Sequence, residues 1–252
     1  MAQVMDRDNQ LPIVVLDAML PRQVLKIEVE NNAIFHALIQ HCIITETPRF
    51  GMVGTATLAL TGQTWPLQNG VEVELVDPPQ VVDGVGDGGG EGKALRVQLK
   101  ATRRFRIQQG ELRTNPAGWT EARVMFLDED PTAQEEKEDP ESLARAIQVA
   151  TQLTDPNNNL VEQWITLATT KEHFPGQVDQ ILNDLGTIPP PEQPTDRAFW
   201  IGALINPLPS MGVAMELRPH LLMARSAEER IGTAYKGLVA SIHHMDGSKP
   251  LF

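Results

Sequence analysis

The sequence has little cysteine, few aromatic residues and no long apolar run. Cys42 is the one cysteine among 252 residues, which excludes an intramolecular disulfide framework and a cysteine-rich zinc site. No apolar segment approaches the roughly 20 residues that a membrane-spanning helix needs. Residues 1–10 also lack the apolar core of a secretory signal. We therefore expect a soluble intracellular protein, in the cytoplasm or in an organelle matrix or stroma, without membrane insertion.

Basic residues are also scarce. Lys and Arg together number 21 against 33 Asp and Glu, which gives a formal net charge of −12 at pH 7. Because a nucleic-acid binder must attract phosphate, this acidity argues against nucleic acid as a partner. The hydrophobic share of 41% is enough for a real core, and the length fits one or two domains.

Strand patterns dominate the N-terminal half. The predicted strands are Leu11–Leu16, Val24–Val29, Phe50–Leu60, Val71–Leu75, Leu95–Ile107 and Trp119–Leu127. Apolar and polar positions alternate within two of them, as in a half-buried strand, which puts Glu72 and Glu74 on an outward face. The glycine-rich stretch Asp77–Lys93 is predicted to be a flexible loop insertion.

One helix interrupts these strands. It is predicted over Ala33–Ile44, because apolar residues recur there at helical spacing. Asn31 or Asn32 is placed to cap its start, and Ile34, Leu38 and Cys42 form its apolar face.

The pattern becomes helical after an acidic stretch. Eight of the fourteen residues in Asp128–Glu141 are acidic, which marks a candidate domain boundary. Helices are predicted around Leu143–Ala150, from Asp155-Pro156 to Ala168, and over Val178–Leu185, Ala198–Ile205 and Ala227–Met245. Ser226 and Glu229 form a capping box before the last of these. Strands followed by helices, rather than alternating units, predict an α+β fold.

No local motif assigns a catalytic residue, a cofactor or a metal. A P-loop would need a glycine where Asp87 stands and a hydroxyl where Ala94 stands, and a strand follows the loop instead of a helix. His36 and His41 are five residues apart, which places them on different sides of a helix. We interpret Cys42 as a small buried apolar residue rather than a nucleophile.

A basic strand stands out in this acidic chain. Alternation places Arg96, Lys100, Arg104 and Arg106 on one strand face, which could dock an acidic peptide or a nucleic acid. The alternative is a solvent-facing strand whose cations pair with carboxylates across the sheet, such as Glu72 and Glu74. Trp65 and Trp119 lie beside predicted turns, either as exposed anchors for a partner or as lids on the core.

Several of these segments together resemble the LON substrate-binding domain, the N-terminal domain of ATP-dependent Lon proteases. The segments that carry the resemblance are Leu11–Leu16, Leu20–Ile27, Phe50–Gly54, Arg103–Ile107, Trp119–Val124, Leu127–Asp130, Phe199-Trp200, Leu208-Pro209, Leu221-Leu222 and Glu228–Ile231. The resemblance extends from about Leu11 to Ile242. Pro21-Arg22 stands where the family usually has Pro-Gly, Ala101 stands where it has glycine, and Pro78–Gly92 looks like an insertion.

The resemblance implies a PUA-like, mainly antiparallel β-barrel in residues 1–130, followed by a C-terminal α-helical bundle in residues 131–252. In full Lon proteases this domain helps to recognise substrates and to assemble the oligomer, while separate downstream domains hydrolyse ATP and peptide bonds. Since this chain has neither of those domains, the resemblance implies a stand-alone, non-catalytic protein. Its expected partner is a polypeptide, or a protein such as a protease or a larger assembly, to which it would act as an adaptor.

Two other functions stay open at this point. The first is RNA binding through the barrel, with the Arg96–Arg106 face as the contact surface. The second is an enzyme with an unrecognised small-molecule site in a cleft between the two halves.

Overall fold

The computed structural model describes residues 9–30, 32–57, 62–85, 91–127 and 139–250, without the side chains of residues 56, 57, 83–85, 91–93 and 109–111. The chain divides into two compact units, each described by itself below. The barrel unit comprises Met1–Met19 and Val24–Ala133, and the helical unit comprises Leu20–Gln23 and Gln134–Phe252. Residues 128–138, which hold most of the acidic stretch, and the glycine run at 86–90 lie outside the described residues.

The barrel unit contains nine described strands and one helix. The strands are β1 (Gln10–Val15), β2 (Val24–Glu30), β3 (Arg49–Val53), β4 (Thr55–Thr57), β5 (Thr64–Pro66), β6 (Asn69–Leu75), β7 (Gln80–Val85), β8 (Glu91–Thr114) and β9 (Thr120–Phe126). Helix α1 (Ala33–Ile44) lies between β2 and β3 in the chain, with Asn32 as its N-cap.

Five of these strands close a barrel. Each pairs with two neighbours in the order β8, β6, β3, β1, β9 and back to β8. The β1–β3 pair is parallel and the other four pairs are antiparallel. Strand β8 can pair with four other strands because it is 24 residues long. Its first half pairs with β2 and β7 in addition to its pairing within the barrel. Strands β4 and β5 form a separate two-stranded sheet.

Part of Asp77–Lys93 forms strand β7 and the start of β8, so the prediction of a loop over this segment is wrong there. Gln80 to Val85 pair with Arg96 to Glu91 as an antiparallel hairpin. The prediction failed because the segment carries few apolar side chains, whereas strand pairing joins backbone groups, which every residue except proline supplies in full.

A bulge in β8 overturns part of the predicted alternation. Val71 and Val73, two residues apart on β6, pair with Arg104 and Ala101, which are three residues apart on β8. The extra residue puts Arg104 on the face that carries Ala101 and Val71 instead of the face of Arg96 and Lys100. Arg104 is accordingly only 2% exposed, so the predicted row of four cations on one face is wrong.

The core of the barrel unit is formed by apolar residues from four strands. Its central cluster contains Leu11, Ile13, Val53, Phe105, Ala122, Val124 and Phe126. Gly51 and Gly70 flank the Phe105 ring so closely that a Cβ atom at either position would lie within 2.9 Å of it. On α1, Leu38 and Cys42 are buried as predicted, but Ile34 is 51% exposed, and Phe35 and Ile39 take its place.

The helical unit contains six described helices. They are α2 (Pro140–Gln152), α3 (Leu160–Thr169), α4 (Gln177–Leu185), α5 (Pro194–Ile205), α6 (Arg218–Met223) and α7 (Ala227–Met245). Helix α7 packs against α2, α3, α5 and α6. Helix α5 is buried on several sides, since every residue from Arg197 to Ile205 is buried.

The start of α7 agrees with the predicted cap, and the start of α3 does not. The Ser226 hydroxyl accepts a hydrogen bond from the backbone N–H of Glu229, as the capping box predicts. Helix α3, however, begins at Leu160 with Asn159 as its cap, and not at Asp155-Pro156. The Asp155 carboxylate instead accepts a hydrogen bond from the N–H of Asn157 within a turn.

The short segment Leu20–Gln23 belongs to the helical unit. The Gln23 side-chain amide donates to the backbone carbonyls of Asn206 and Ala203 at 2.7 and 3.4 Å. Arg22 has φ of 75°, a left-handed conformation that favours glycine. In the resemblance described above, Arg22 stands where glycine is expected, and glycine adopts this conformation without strain.

Candidate functional site

The barrel unit contains a cavity of about 600 Å³ with polar and apolar lining residues. Its lining residues come from the start of β1, the end of α1, the turn after α1, and strands β3, β6 and β9: Gln10, Leu11, Pro12, His41, Cys42, Thr47, Arg49, Glu72 and Glu121. Strands β1 and β3 pair only from Ile13 with Gly51 to Val15 with Val53. The cavity therefore lies where the beginnings of these two strands are no longer paired with each other.

One wall of the cavity is built around the buried carboxylate of Glu72, which is only 2% exposed. Arg103 donates to both of its oxygens, from Nε and Nη2, at 2.9 Å each. The Thr102 hydroxyl donates to Oε2 at 3.1 Å, and Arg49 Nη1 lies 3.5 Å from Oε1. This corrects the prediction that Glu72 faces solvent. Glu72 alternates with Val71 and Val73 as expected, but its face of β6 is buried too. The reason is that Glu72 pairs with Gly51, beside Ile13 and Phe105.

Glu72 lies close to Arg49 but does not occupy all of its N–H donors. Its side chain is 43% exposed, and its 3.5 Å contact with Glu72 is longer than a good hydrogen bond. The two-pronged contact from Arg103 already satisfies Glu72. The guanidinium of Arg49 therefore has N–H groups available to a ligand in the cavity.

The other charged wall is the carboxylate of Glu121. Its Oε1 accepts hydrogen bonds from the Asn115 amide at 2.7 Å and the Trp119 indole at 3.1 Å. Its Oε2 accepts one from the Gln10 amide at 3.0 Å. These three donors are neutral, so they fix the position of the carboxylate without cancelling its charge.

His41 and Cys42 complete the cavity on the helix side. The His41 ring lies against the Trp119 ring, with 5.1 Å between their centroids. Burial raises the pKa of the Cys42 thiol to about 11, because the thiolate loses its hydration inside the protein. At neutral pH the thiol is therefore protonated and unsuited to nucleophilic attack, in agreement with its interpretation as a small buried apolar residue.

The structure does not bring the four predicted cations together as an open basic face. Arg96 donates to Glu28, its partner across the sheet, at 2.7 and 2.9 Å. Arg106 donates to the side-chain oxygen of Asn69 at 3.1 Å, and Arg104 is buried. Lys100 remains exposed on the strand. The alternative considered for this strand, cations paired with carboxylates across the sheet, describes Arg96, whereas the partner of Arg106 across the sheet is an amide.

The two predicted tryptophans have different environments. Trp119 is buried over the core and bound to Glu121, so it acts as a lid and orients a cavity residue. Trp65 lies on β5 and is 58% exposed, whereas the other three tryptophans are buried. Trp65 is therefore the tryptophan that the structure leaves accessible to a partner.

Sequence reasoning missed Gln10, His41, Arg49, Glu72 and Glu121 as members of one cavity. They come from five separate segments, and no local spacing connects them. Within the described ranges, no group of three or more His, Cys, Asp or Glu side chains could hold a metal ion. No helix within those ranges is long and apolar enough to cross a membrane.

The architecture defines an α+β protein with a closed, mainly antiparallel barrel and a set of helices. No protein-family model and no curated protein matches the sequence. Among solved structures, the N-terminal domain of Mycobacterium avium complex Lon protease matches with a TM-score of 0.51 and 16% identity, covering 91% of this chain and 98% of that one. A Lon N-terminal domain protein from Xanthomonas campestris matches with a TM-score of 0.44 and 21% identity, covering 88% and 95%.

The match to the Mycobacterium structure identifies the fold as that of a Lon N-terminal domain. It extends over most of both chains, so the likeness includes the strand-rich and the helical parts. The fold that the sequence resemblance implies is thereby confirmed.

Proposed function

We propose that this chain is a member of the LON substrate-binding domain family that binds polypeptides or partner proteins without catalysing a reaction on them. Two observations support the proposal. The fold is that of a domain which, in the Mycobacterium structure, belongs to a protease. The barrel unit also presents Trp65 to solvent, and exposed tryptophans are among the commonest energetic centres of protein interfaces.

The exposure of Trp65 is the observation that carries the proposal. A tryptophan side chain has a large apolar surface, which is expensive to leave in water unless a partner covers it. Trp65 lies on the two-stranded β4–β5 sheet, opposite Ala56 in the register. Because β5 is three residues long and exposed throughout, a bound polypeptide would have access to the ring from several directions.

The experiment compares the intact protein with its Trp65→Ala variant in binding to a permanently unfolded polypeptide, reduced and carboxymethylated lysozyme. A central interface tryptophan contributes about 2 kcal/mol or more, so the affinity should fall about 30-fold. Val81→Ala is the matched control, since Val81 is an exposed apolar residue on β7 of the same unit.

Fluorescence anisotropy of the labelled polypeptide measures both affinities directly. An equal loss in the two variants would mean that general surface hydrophobicity, and not Trp65, accounts for binding. Absence of binding by the unmodified protein at tens of micromolar would refute the polypeptide-binding function itself.

A further inference from the structure

The cavity of the barrel unit is lined by the cation of Arg49 and the carboxylate of Glu121 on separate strands. It is also lined by the carboxylate of Glu72, which two cations, Arg103 and Arg49, contact. Arg49 begins β3, Glu121 lies on β9, and β1 runs between these two strands. Two strand spacings separate their backbones by roughly 10 Å. Because both side chains line the same cavity, the charges face a common space from opposite sides of β1.

The carboxylate of Glu121 is held in place before any ligand arrives, and Arg49 is oriented by its ion pair with Glu72. Arg49 lies beside Glu72, which is fixed by the two-pronged contact from Arg103. The guanidinium of Arg49 has a 3.5 Å ion-pair contact with Glu72, which leaves further N–H groups for a ligand. Glu121 is fixed by three neutral donors, which leave its negative charge intact. Charges that are already oriented cost a ligand less free energy to bind than mobile ones.

The remaining lining residues limit the ligand further. Leu11 and Pro12 provide an apolar floor along β1, and Thr47 and His41 provide polar groups at the side. The volume of about 600 Å³ lies within the range of small-molecule sites. A chain extended by about 3.4 Å per residue covers the roughly 10 Å between the two strand backbones with two or three residues.

We propose that this cavity binds a short zwitterionic peptide of two or three residues, with its terminal carboxylate on Arg49 and its terminal ammonium on Glu121. The carboxylate would accept hydrogen bonds from the guanidinium, whose planar group of donors matches it. The ammonium would donate to Glu121, which keeps acceptor capacity beside its three existing bonds. This site is separate from Trp65 and does not depend on the polypeptide-binding function proposed above.

The test uses the full chain and four forms of one peptide, Ala-Ala-Ala: free at both ends, N-acetylated, C-amidated and blocked at both ends. Isothermal titration calorimetry measures each affinity. Each blocking group removes one charge-assisted contact, so each should weaken binding about tenfold or more. Binding of the doubly blocked peptide as tightly as the free one would overturn the proposal.

Two variants test which end of the peptide binds to Glu121 and which binds to Arg49. Glu121→Gln keeps acceptor and donor groups at the site but removes the charge, so N-acetylation should no longer matter while C-amidation still does. Arg49→Met should show the reverse. Trp65→Ala, the control, should bind the free peptide like the unmodified protein. If either charge variant remains sensitive to both blocking groups, the assignment of the two ends is wrong.

The four-peptide comparison on the unmodified protein does not depend on the folding of any variant. A penalty from only one blocking group would refute the zwitterionic ligand, because it would leave the other charge of the cavity without a role. Failure of the free peptide to bind at millimolar concentration would refute the site. Neither result would affect the test of Trp65, which uses a different probe.

Discussion

Replacing Arg103 by methionine removes the two N–H donors that hold the buried carboxylate of Glu72. Methionine keeps an unbranched chain of similar length, so the variant changes the charge and the hydrogen bonds more than the packing. Glu72 is 2% exposed, and loss of its partner leaves a buried charge with the Thr102 hydroxyl at 3.1 Å and Arg49 at 3.5 Å.

The expected cost is about 3 kcal/mol. Breaking a buried pair by removing one partner costs about 3–5 kcal/mol. The low end applies here because Arg103 is 28% exposed and Arg49 can approach Glu72 more closely. The guanidinium of Arg103 also lies 3.7 Å from the centre of the Phe126 ring, a contact that contributes about 0.5–1 kcal/mol at a partly exposed site.

Hydrogen exchange of the backbone amides in β6 and β8 measures this cost within the barrel unit alone. Amides that exchange only through unfolding of the barrel should exchange more than a hundredfold faster in Arg103→Met, since 1.4 kcal/mol corresponds to a factor of ten. The matched control is Arg96→Met. Arg96 pairs with Glu28 on the surface, where both side chains are about half exposed, so its loss should cost about 0–1 kcal/mol.

A second substitution makes the reasoning refutable. Glu72→Leu in the Arg103→Met background removes the orphaned charge, so it should restore most of the lost stability. A cost below 1 kcal/mol for Arg103→Met would show that Glu72 does not depend on Arg103. A double variant no more stable than the single one would show that the loss is due to packing.

The further predictions concern four individual residues. Hydrogen bonding, above all from Arg145, lowers the pKa of Glu228 to about 2. Glu228→Gln should therefore lower the melting temperature at pH 7. This difference between the variant and the unmodified protein should disappear as the pH falls from about 4.5 to about 2. An unchanged difference at pH 2 would contradict this. Burial raises the pKa of Cys42 to about 11, so iodoacetamide at pH 8 should alkylate the thiol far more slowly in the folded than in the urea-unfolded protein, as measured by mass spectrometry. For the same reason stability should fall as the pH rises from about 9 towards 11. Gly70→Ala should destabilise the barrel by about 1–3 kcal/mol, because its Cβ would lie 2.5 Å from a backbone carbonyl oxygen of β3. Gly232→Ala meets no atom within 4 Å and should stabilise α7 by up to about 1 kcal/mol in chemical denaturation.

Most elements with strong local signals could be predicted from the sequence. Helix α1 was predicted over its full length, and the pattern of Leu95, Val97, Leu99 and Ala101 predicted the buried face of β8. These predictions succeed because side-chain periodicity and capping act within a few residues. The hairpin of β7 and β8 had no such signal, since its pairing joins backbone groups between residues of low hydrophobicity.

The candidate cavity had no signal that a single sequence could reveal. Arg49 and Glu121 are 72 positions apart in the chain and meet only because β1 pairs with both β3 and β9. Glu72 was assigned to solvent because it alternates with the apolar Val71 and Val73, but closure of the barrel buries both faces of β6 at this point. Trp65 and Trp119 were equivalent in the sequence, and burial alone distinguishes them.

The sequence by itself determined the acidic character of the chain, the order of strands before helices and the resemblance to the LON domain, because composition, periodicity and short motifs are properties of the chain. The tertiary structure decided which charges are buried, which tryptophan is exposed and which residues share a cavity. Those properties depend on strand register and barrel closure, which bring distant segments together through backbone hydrogen bonds. One bulge in β8 therefore moved Arg104 from a predicted binding face into the interior.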